Sequence, residues 1–203
     1  MYLYPKWIRA WHIINVVLFL ILIVTGLSMQ YTDKENSSYV VGFAKAVKWH
    51  NSAAIILTVN YILFVTGNLL TKNGKYYRIG KKNFLPDLGK QLKYYSWGMF
   101  KEEKHPFPVT EESKFNPLQK LSYVLAMYVA VPLLIISGIG LLFPEITITR
   151  FFGVSGLLLT DILHITMGFF LFIFTVIHIY TCTLGAKPTS LFWGMISGYH
   201  RSE

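Results

Sequence analysis

Four long stretches without a charged residue dominate this 203-residue chain. They cover residues 13–30, 51–71, 121–144 and 162–186, and each is 18 to 25 residues long. A helix rises 1.5 Å per residue, so about 20 apolar residues cross the roughly 30 Å hydrocarbon core of a bilayer. The sequence therefore predicts an all-α integral membrane protein, a four-transmembrane-helix bundle. The predicted spans are at about 12–30, 50–71, 119–144 and 158–186, joined in the middle by an amphipathic loop over 72–118.

The composition agrees with a single membrane domain over 1–203. Apolar residues make up 53% of the chain and charged residues only 14%, which excludes a disordered or nucleic-acid-coating chain despite a net charge of +9. The first apolar stretch has no small-residue cleavage site and is followed by further spans, so we expect no cleavable signal peptide.

The positive charges predict the orientation of the bundle. With both termini inside, the inner segments hold fifteen of the nineteen Lys and Arg residues, eleven of them between Lys72 and Lys120. The outer segments hold four: Lys34, Lys45, Lys48 and Arg150. Cytoplasmic loops carry the excess of Lys and Arg. We therefore expect a multi-pass protein of a prokaryotic cytoplasmic membrane with both termini cytoplasmic, where the basic segments face anionic lipid and not nucleic acid.

Two further segments have apolar patterns without being spans. Residues 151–160 are too short to cross a bilayer and contain Gly153 and Gly156, which suggests an interfacial or re-entrant approach to the fourth helix. Residues 84–100 alternate apolar side chains and lysines at helical spacing, which predicts an amphipathic helix on the inner surface.

The cysteine count removes several redox chemistries. Cys182 is the only cysteine, so the chain has no intramolecular disulfide, covalent haem attachment, iron–sulfur cluster or thiolate zinc site of its own. We interpret Cys182 as a small packing residue in the fourth span.

Histidines remain as candidate ligands. Four of the six lie in or at the predicted spans: His12, His50, His164 and His178. His105 and His200 lie in polar segments, and we assign them no role. Ionisable groups at membrane depth are costly and usually functional, although a single one can simply bond a neighbouring helix.

Helix geometry pairs the four histidines. His164 and His178 are 14 residues apart, so they share one helix face about 21 Å apart. With the predicted topology, His12 lies at the inner depth of His178, and His50 lies at the outer depth of His164. This arrangement predicts two stacked bis-histidine sites.

Two axial imidazoles without an open position suit a haem b that carries electrons. Zinc or copper is the competing metal, although either normally needs three or four protein ligands. Gly26 and Gly67 either make room for such a flat group or are ordinary small-residue helix contacts.

The chain also resembles a known family. The histidine layout is similar to that of dihaem cytochrome b subunits of formate dehydrogenases, thiosulfate reductases and nickel–iron hydrogenases. The inner segments Trp97-Gly98, His105-Pro106-Phe107 and 114–123 (KFNPLQKLSY) resemble the thiosulfate-reductase-type branch. The segment 193–199 (WGMISGY) is similar to the tail of the formate dehydrogenase gamma subunit.

The resemblance implies two haem b groups. In the family pattern His12 and His178 ligate the inner haem, and His50 and His164 ligate the outer one. It also implies a quinone, menaquinone or ubiquinone, close to Asn116 near the inner haem. Gln119 and Lys120 are further hydrogen-bond donors there.

Other interpretations of the inner residues stay open. Asn116 followed by Pro117 is also a strong helix N-cap signal, which is compatible with quinone contact. Lys6 and Arg9 either pair with haem propionates or anchor the helix at the inner surface, and the tryptophans fit an interfacial aromatic belt.

We therefore expect a membrane-anchoring electron-transfer subunit of a respiratory oxidoreductase complex, not its substrate-reducing catalytic subunit. The expected partners are an extracytoplasmic iron–sulfur or multihaem cytochrome subunit, a catalytic subunit such as a molybdopterin type, quinone and membrane lipid. The alternatives are a hydrogenase- or formate-dehydrogenase-linked subunit or, in another class, a four-helix transporter or proton channel that uses the histidines.

Overall fold

The structure is a computed structural model that describes residues 1–32, 40–80, 83–185 and 187–200. The predicted end of the fourth span at Ala186 lies outside these residues, as do four of the counted positive charges: Lys34, Lys81, Lys82 and Arg201.

Four described helices are long and apolar enough to cross a membrane, as predicted. They are the first to fourth spanning helices, over Lys6–Tyr31, Phe43–Leu70, Pro117–Leu142 and Gly156–Cys182. The first two begin before the predicted spans at residues 12 and 50, because a helix continues beyond the hydrocarbon while side chains such as Lys6 and Lys45 reach water.

The outward faces of these helices are apolar. Side chains more than half exposed include Ile13, Ile55, Ile136 and Phe169. Contiguous exposed apolar surface on this scale is unfavourable in water and is stabilised by lipid. The inside of the bundle holds small clusters, one of which packs Ala126, Ala130 and Val131 against Leu171 of the fourth helix.

The third spanning helix contains a π turn. Its α-helical parts, Pro117–Leu125 and Val131–Leu142, flank a π-helical turn at Ala126–Ala130. Pro132 follows this turn and has no backbone N–H, so it interrupts the α-helical hydrogen-bond ladder. A π turn is one of the adjustments that accommodate such an interruption.

A tryptophan and an asparagine join the first two helices. The Trp11 indole Nε1 donates to the carbonyl of Asn60 at 3.0 Å, and Asn60 Nδ2 donates to the carbonyl of Trp11 at 3.3 Å. The Trp11 ring also stacks on Phe64, with centroids 4.4 Å apart. Trp11 is therefore held between helices, so the aromatic belt does not describe all five tryptophans.

Both ends of the chain meet at one end of the bundle, called the terminal end; the other is the distal end. Tyr2 forms a β-bridge with Tyr199, and the Met1 amino group donates to the His200 carbonyl. A short helix, Ser190–Ser197, precedes this bridge and ends at Gly198, which has φ +88°. A glycine suits this left-handed position because it has no Cβ.

The terminal end also carries the long connection between the second and third helices. It contains a 3-10 turn at Lys72–Tyr77, a surface helix at Phe84–Ser96 and a second 3-10 turn at Gly98–Lys101. The amphipathic helix predicted over 84–100 thus ends at Ser96, just before Trp97 and Gly98 leave the α-helical path.

The distal end holds a small hairpin. Strands Arg150–Phe151 and Val154–Ser155 pair antiparallel around Phe152 and Gly153, both with positive φ. The fourth helix starts immediately afterwards, at Gly156. The patch 151–160 is therefore a hairpin followed by the first turn of a spanning helix. This excludes a separate re-entrant segment, and the interfacial approach to the fourth helix stays a prediction.

Candidate functional site

The structure brings the four membrane histidines together as two pairs. The rings of His12 and His178, the terminal pair, have centroids 6.3 Å apart with planes at 62°. The rings of His50 and His164, the distal pair, have centroids 6.2 Å apart with planes at 65°. Each pair joins the fourth helix to one of the first two, in the pairing predicted from helix spacing.

The ring separations fit one metal ion between two imidazoles. A metal–imidazole bond is about 2.0 Å long and a ring nitrogen lies about 1.1 Å from its ring centre, so opposed axial imidazoles have centroids roughly 6.2 Å apart. The residues described here contain no cluster of three or more His, Cys, Asp or Glu side chains that could hold a metal. Two ligands per site suit zinc or copper poorly.

Each histidine of the distal pair contacts a buried hydroxyl. Thr25 Oγ1 of the first helix lies 2.9 Å from His50 Nδ1, and Ser137 Oγ of the third helix lies 3.0 Å from His164 Nδ1. Thr25 is 1% exposed and Ser137 is 2% exposed. Sequence reasoning missed both residues, because a hydroxyl in an apolar helix is no signal until the neighbouring helix is placed.

Glycines next to these hydroxyls lie against the same rings. A Cβ added at Gly26 would be 3.6 Å from His50 Cε1, and one added at Gly138 would be 3.1 Å from His164 Cε1. At Gly67 a Cβ would be 2.7 Å from the ring of Trp7. Gly26 thus faces the distal pair, whereas Gly67 packs against Trp7 as an ordinary helix contact.

The terminal pair has aromatic surroundings. The Phe174 ring stacks on His178 with centroids 5.8 Å apart and planes at 10°. The Tyr123 hydroxyl is 3.5 Å from His178 Nδ1, at the limit of a hydrogen bond, and Cys182 Sγ is 3.9 Å from His178 Nε2. Cys182 therefore touches a ligand candidate in addition to filling space.

Arg9 and Lys6 differ in their surroundings. Arg9 Nη1 donates to the carbonyl of Ile196 in the C-terminal helix. Arg9 Nε is buried and makes no hydrogen bond within the described chain. Lys6 is exposed. An orphaned buried donor one turn before His12 fits an acidic group at that place, whereas exposed Lys6 fits a surface anchor.

The predicted quinone residues form a capping box. Asn116 Oδ1 accepts from Gln119 N at 2.9 Å, while Gln119 Oε1 accepts from Asn116 N at 3.2 Å. Asn116 Nδ2 donates to the Tyr95 hydroxyl at 3.1 Å. The capping interpretation of Asn116 and Pro117 therefore holds, and both polar atoms of the Asn116 side chain already have protein partners.

A buried amide lies beside this box. Gln91 of the surface helix is fully buried, and in the described part of the chain neither of its side-chain polar atoms has a hydrogen-bond partner of standard geometry. It lies beside the Tyr95 hydroxyl. Burial raises the pKa of Tyr95, partly offset by its hydrogen bond to Asn116. The amide of Gln91 and the Asn116 side chain thus both lie against the same tyrosine hydroxyl.

The comparisons with known proteins agree with this arrangement. A family model described as prokaryotic cytochrome b561 matches residues 3–198. The chain belongs to the prokaryotic cytochrome b561 family. It is 38% identical over 204 residues to an Escherichia coli (strain K12) protein named "Putative cytochrome YdhU", covering 98% of this chain and 74% of that protein. No solved structure matches the chain.

Membership of the cytochrome b561 family confirms the resemblance seen in the sequence, and it implies a haem b and membrane electron transfer. The residues fit such a group: paired imidazoles at the right separation, and the orphaned donor of Arg9 one turn from His12. Family membership therefore favours the predicted electron-transfer subunit over the transporter and channel alternatives.

Near the terminal pair, this cytochrome b buries a lysine. Lys114 is 7% exposed, and its Nζ donates to Asn73 Oδ1 at 3.3 Å and lies 4.2 Å from the Tyr76 ring centre. Burial, with the nearby charge of Lys75, lowers the pKa of Lys114 to about 8. The first residue of the segment 114–123 thus joins the end of the long connection to its beginning.

Proposed function

We propose that this chain is the membrane-anchoring dihaem cytochrome b subunit of a respiratory oxidoreductase complex. It transfers electrons across the membrane between a menaquinone or ubiquinone site at the cytoplasmic side and an extracytoplasmic redox partner. The observation that carries this proposal is the presence of two histidine pairs, near opposite ends of one bundle, with ring centroids 6.2 and 6.3 Å apart.

Within the proposal, His12 and His178 hold one haem b and His50 and His164 hold the other. When bound, each haem supplies reversible one-electron chemistry at an iron without an open position. The chain orders the rings, excludes water with apolar helices and offers Arg9 Nε to an acidic edge of the terminal haem. His164 and His178 are 14 residues apart on one helix, which separates the two sites by about 21 Å along its axis.

Visible spectroscopy of the purified full chain tests the haem assignment. We expect reducible b-type bands at two haems per chain, one fewer after His164→Ala, and no change after His105→Ala, which alters a histidine outside both pairs. A colourless preparation, or an unchanged haem content after His164→Ala, would refute the proposal.

The quinone part of the proposal rests on the terminal end. The Phe115 ring contacts Tyr123 at 4.8 Å between centroids, and the Tyr123 ring lies 5.8 Å from that of His178. The capping box of Asn116 and Gln119 is thus two ring contacts from the terminal pair. The fully buried amide of Gln91 lies beside the Tyr95 hydroxyl that this box also contacts. Asn116 directs one of its two Nδ2 protons to Tyr95, so its second Nδ2 proton and those of Gln119 Nε2 are the donors offered to a quinone carbonyl.

A pair of amide substitutions separates capping from quinone contact. Gln119→Glu keeps the oxygen that accepts from Asn116 N but removes the Nε2 donor, whereas Asn116→Asp keeps the oxygen that accepts from Gln119 N. We expect Gln119→Glu to slow haem reduction by menadiol about tenfold, with unchanged thermal unfolding. Asn116→Asp removes the Nδ2 donor in the same way, so the variant that slows reduction identifies the amide that contacts the quinone. Equal reduction rates in wild type and Gln119→Glu would exclude Gln119 as the contact.

The orientation follows from charge. The N- and C-terminal segments meet at the terminal end. With that end cytoplasmic the positive-inside rule is satisfied, because the sequence segments predicted to be inner hold fifteen of the nineteen Lys and Arg residues. A C-terminal alkaline phosphatase fusion should then be inactive, and a green fluorescent protein fusion fluorescent. The opposite result would invert the electron path.

The partner lies at the distal end under this orientation. The connections there are too short for a catalytic domain, so an extracytoplasmic iron–sulfur or multihaem cytochrome subunit, and a catalytic subunit such as a molybdopterin type, would complete the complex. A thiosulfate-reductase-type complex is the first choice, with a hydrogenase or formate dehydrogenase as the alternative. Mild solubilisation, co-purification and identification of the largest subunit tests this choice.

A further inference from the structure

The distal pair is framed by two equivalent dipeptides. Thr25-Gly26 on the first helix faces His50, and Ser137-Gly138 on the third helix faces His164. In each case the hydroxyl contacts Nδ1 of the ring and the glycine lies next to Cε1 of the same ring. The two histidines are thus held in the same way from two different helices.

A count of protons shows what each hydroxyl does. Thr25 Oγ1 lies 2.7 Å from the Ile21 carbonyl, and Ser137 Oγ lies 2.7 Å from the Leu133 carbonyl. A carbonyl only accepts, so the single hydroxyl proton is directed to it. The oxygen then faces the imidazole with a lone pair, and the proton in that contact must come from Nδ1 of the histidine.

A second carbonyl lies within reach of each hydroxyl. Thr25 Oγ1 is 3.3 Å from the Leu22 carbonyl, and Ser137 Oγ is 3.1 Å from the Leu134 carbonyl. Both carbonyls only accept, so the hydroxyl proton stays with the backbone and the proton facing each hydroxyl oxygen is on Nδ1. With Nδ1 protonated, a neutral imidazole has its remaining lone pair on Nε2, the nitrogen free to bind a metal.

We infer that Thr25 and Ser137 are positioning residues for the distal pair, which fix the tautomer and ring orientation of His50 and His164 and tune the potential of the group they hold. This inference rests on the proposed bis-histidine haem ligation. A hydrogen-bond acceptor on the far ring nitrogen raises the basicity of a ligating imidazole. A more basic ligand stabilises ferric over ferrous iron, so the two hydroxyls lower the reduction potential of the distal haem.

Among the residues that the structure describes, no buried Thr or Ser hydroxyl contacts the terminal pair in this way. Its corresponding contact is the Tyr123 hydroxyl, 3.5 Å from His178 Nδ1. The hydroxyls therefore act on one pair alone, and they differentiate two sites that are otherwise built from the same ligands. Electron transfer between two such sites depends on this difference in potential.

Potentiometric titration of the purified two-haem protein, followed in the visible bands, tests this inference. Thr25→Val and Ser137→Ala should each raise the potential of the same haem component. At a fixed solution potential, we expect the ratio of oxidised to reduced haem in this component to change about three- to tenfold. A tenfold change corresponds to a shift of about 59 mV for one electron. His50→Ala identifies this component, because it is the one lost. Thr25→Ser, which keeps the hydroxyl, should restore the wild-type potential.

Thr175→Val is the matched control, since the Thr175 hydroxyl bonds the Leu171 carbonyl in a spanning helix but contacts no histidine within the described residues. If Thr25→Val and Ser137→Ala both retain two haems with unshifted potentials, the inference is overturned and the proposed function stays intact. A shift of the terminal component, or an equal shift in Thr175→Val, would also overturn the inference. Failure to find two haems in the wild type would instead overturn the proposed function.

Discussion

The buried lysine at the terminal end gives a stability prediction with a definite sign. Lys114 is 7% exposed and has a pKa of about 8, lowered from 10.5 chiefly by burial. A difference of about 2.5 pKa units corresponds to at most about 3 kcal/mol, at 1.36 kcal/mol per unit. The hydrogen bond to Asn73 and the cation–π contact with Tyr76 offset part of this cost.

The dependence on pH follows from proton binding. Between pH 8 and 10.5 the unfolded chain holds the lysine proton and the folded chain has released it, so the free energy of unfolding rises with pH in this window. Below pH 8 both states hold the proton and the full cost of burying the charge is present. The wild type should therefore gain stability relative to Lys114→Met as the pH rises from 7 to 10, by up to about 3 kcal/mol.

Chemical unfolding of the detergent-solubilised full chain, followed by tryptophan fluorescence at pH 7, 8.5 and 10, measures this difference. Taking the difference between the two proteins cancels the titration of other groups. Lys90→Met provides the control, since Lys90 is exposed and pairs with Asp87 on the surface helix. A difference between wild type and Lys114→Met that stays constant across this pH range would refute the reasoning.

Three further substitutions test packing. Gly138→Ala places a Cβ 3.1 Å from His164 Cε1, so the ring must move. We expect the free energy of unfolding to fall by about 1–3 kcal/mol and the haem bands to broaden. An unchanged spectrum would contradict this contact. Gly156→Ala places a Cβ 1.6 Å from the Ile148 carbonyl oxygen, so the hairpin must separate from the fourth helix. We expect the free energy of unfolding, measured by chemical denaturation, to fall by at least about 3 kcal/mol. Wild-type stability would contradict this expectation. Asn60→Leu removes a donor to the Trp11 carbonyl and should cost about 0.6–1.7 kcal/mol by the same measurement, whereas a gain in stability would show that the bond contributes nothing.

The sequence predicts features that depend on one helix at a time. Hydropathy identifies four spans, and the 14-residue separation of His164 and His178 identifies a shared face. Features that depend on how two helices are rotated against each other are not predictable in this way. Thr25 is an ordinary threonine in an apolar run until the second helix brings His50 within 2.9 Å.

The terminal end shows the same limit. Asn116 and Pro117 carry a local capping signal that the structure contains in full. Lys114 lies only two residues earlier and is indistinguishable in the sequence from the other basic residues of this loop. Its burial arises from contacts with Asn73 and Tyr76, which are far from it in the sequence. The end of the surface helix at Ser96 and the hairpin before Gly156 likewise depend on tertiary packing that hydropathy does not contain.

The placement of two histidines on the fourth helix has a consequence for biogenesis. The first two helices supply His12 and His50, but both pairs are completed by the last spanning helix, through His164 and His178. A chain still being synthesised therefore carries two half-sites and no whole one until its final span is inserted. The Tyr2–Tyr199 bridge also forms only at that stage. Under the proposed ligation, neither site can hold its haem between two histidines before the fourth helix is inserted, so an arrested chain that ends before this helix should bind no haem in this way.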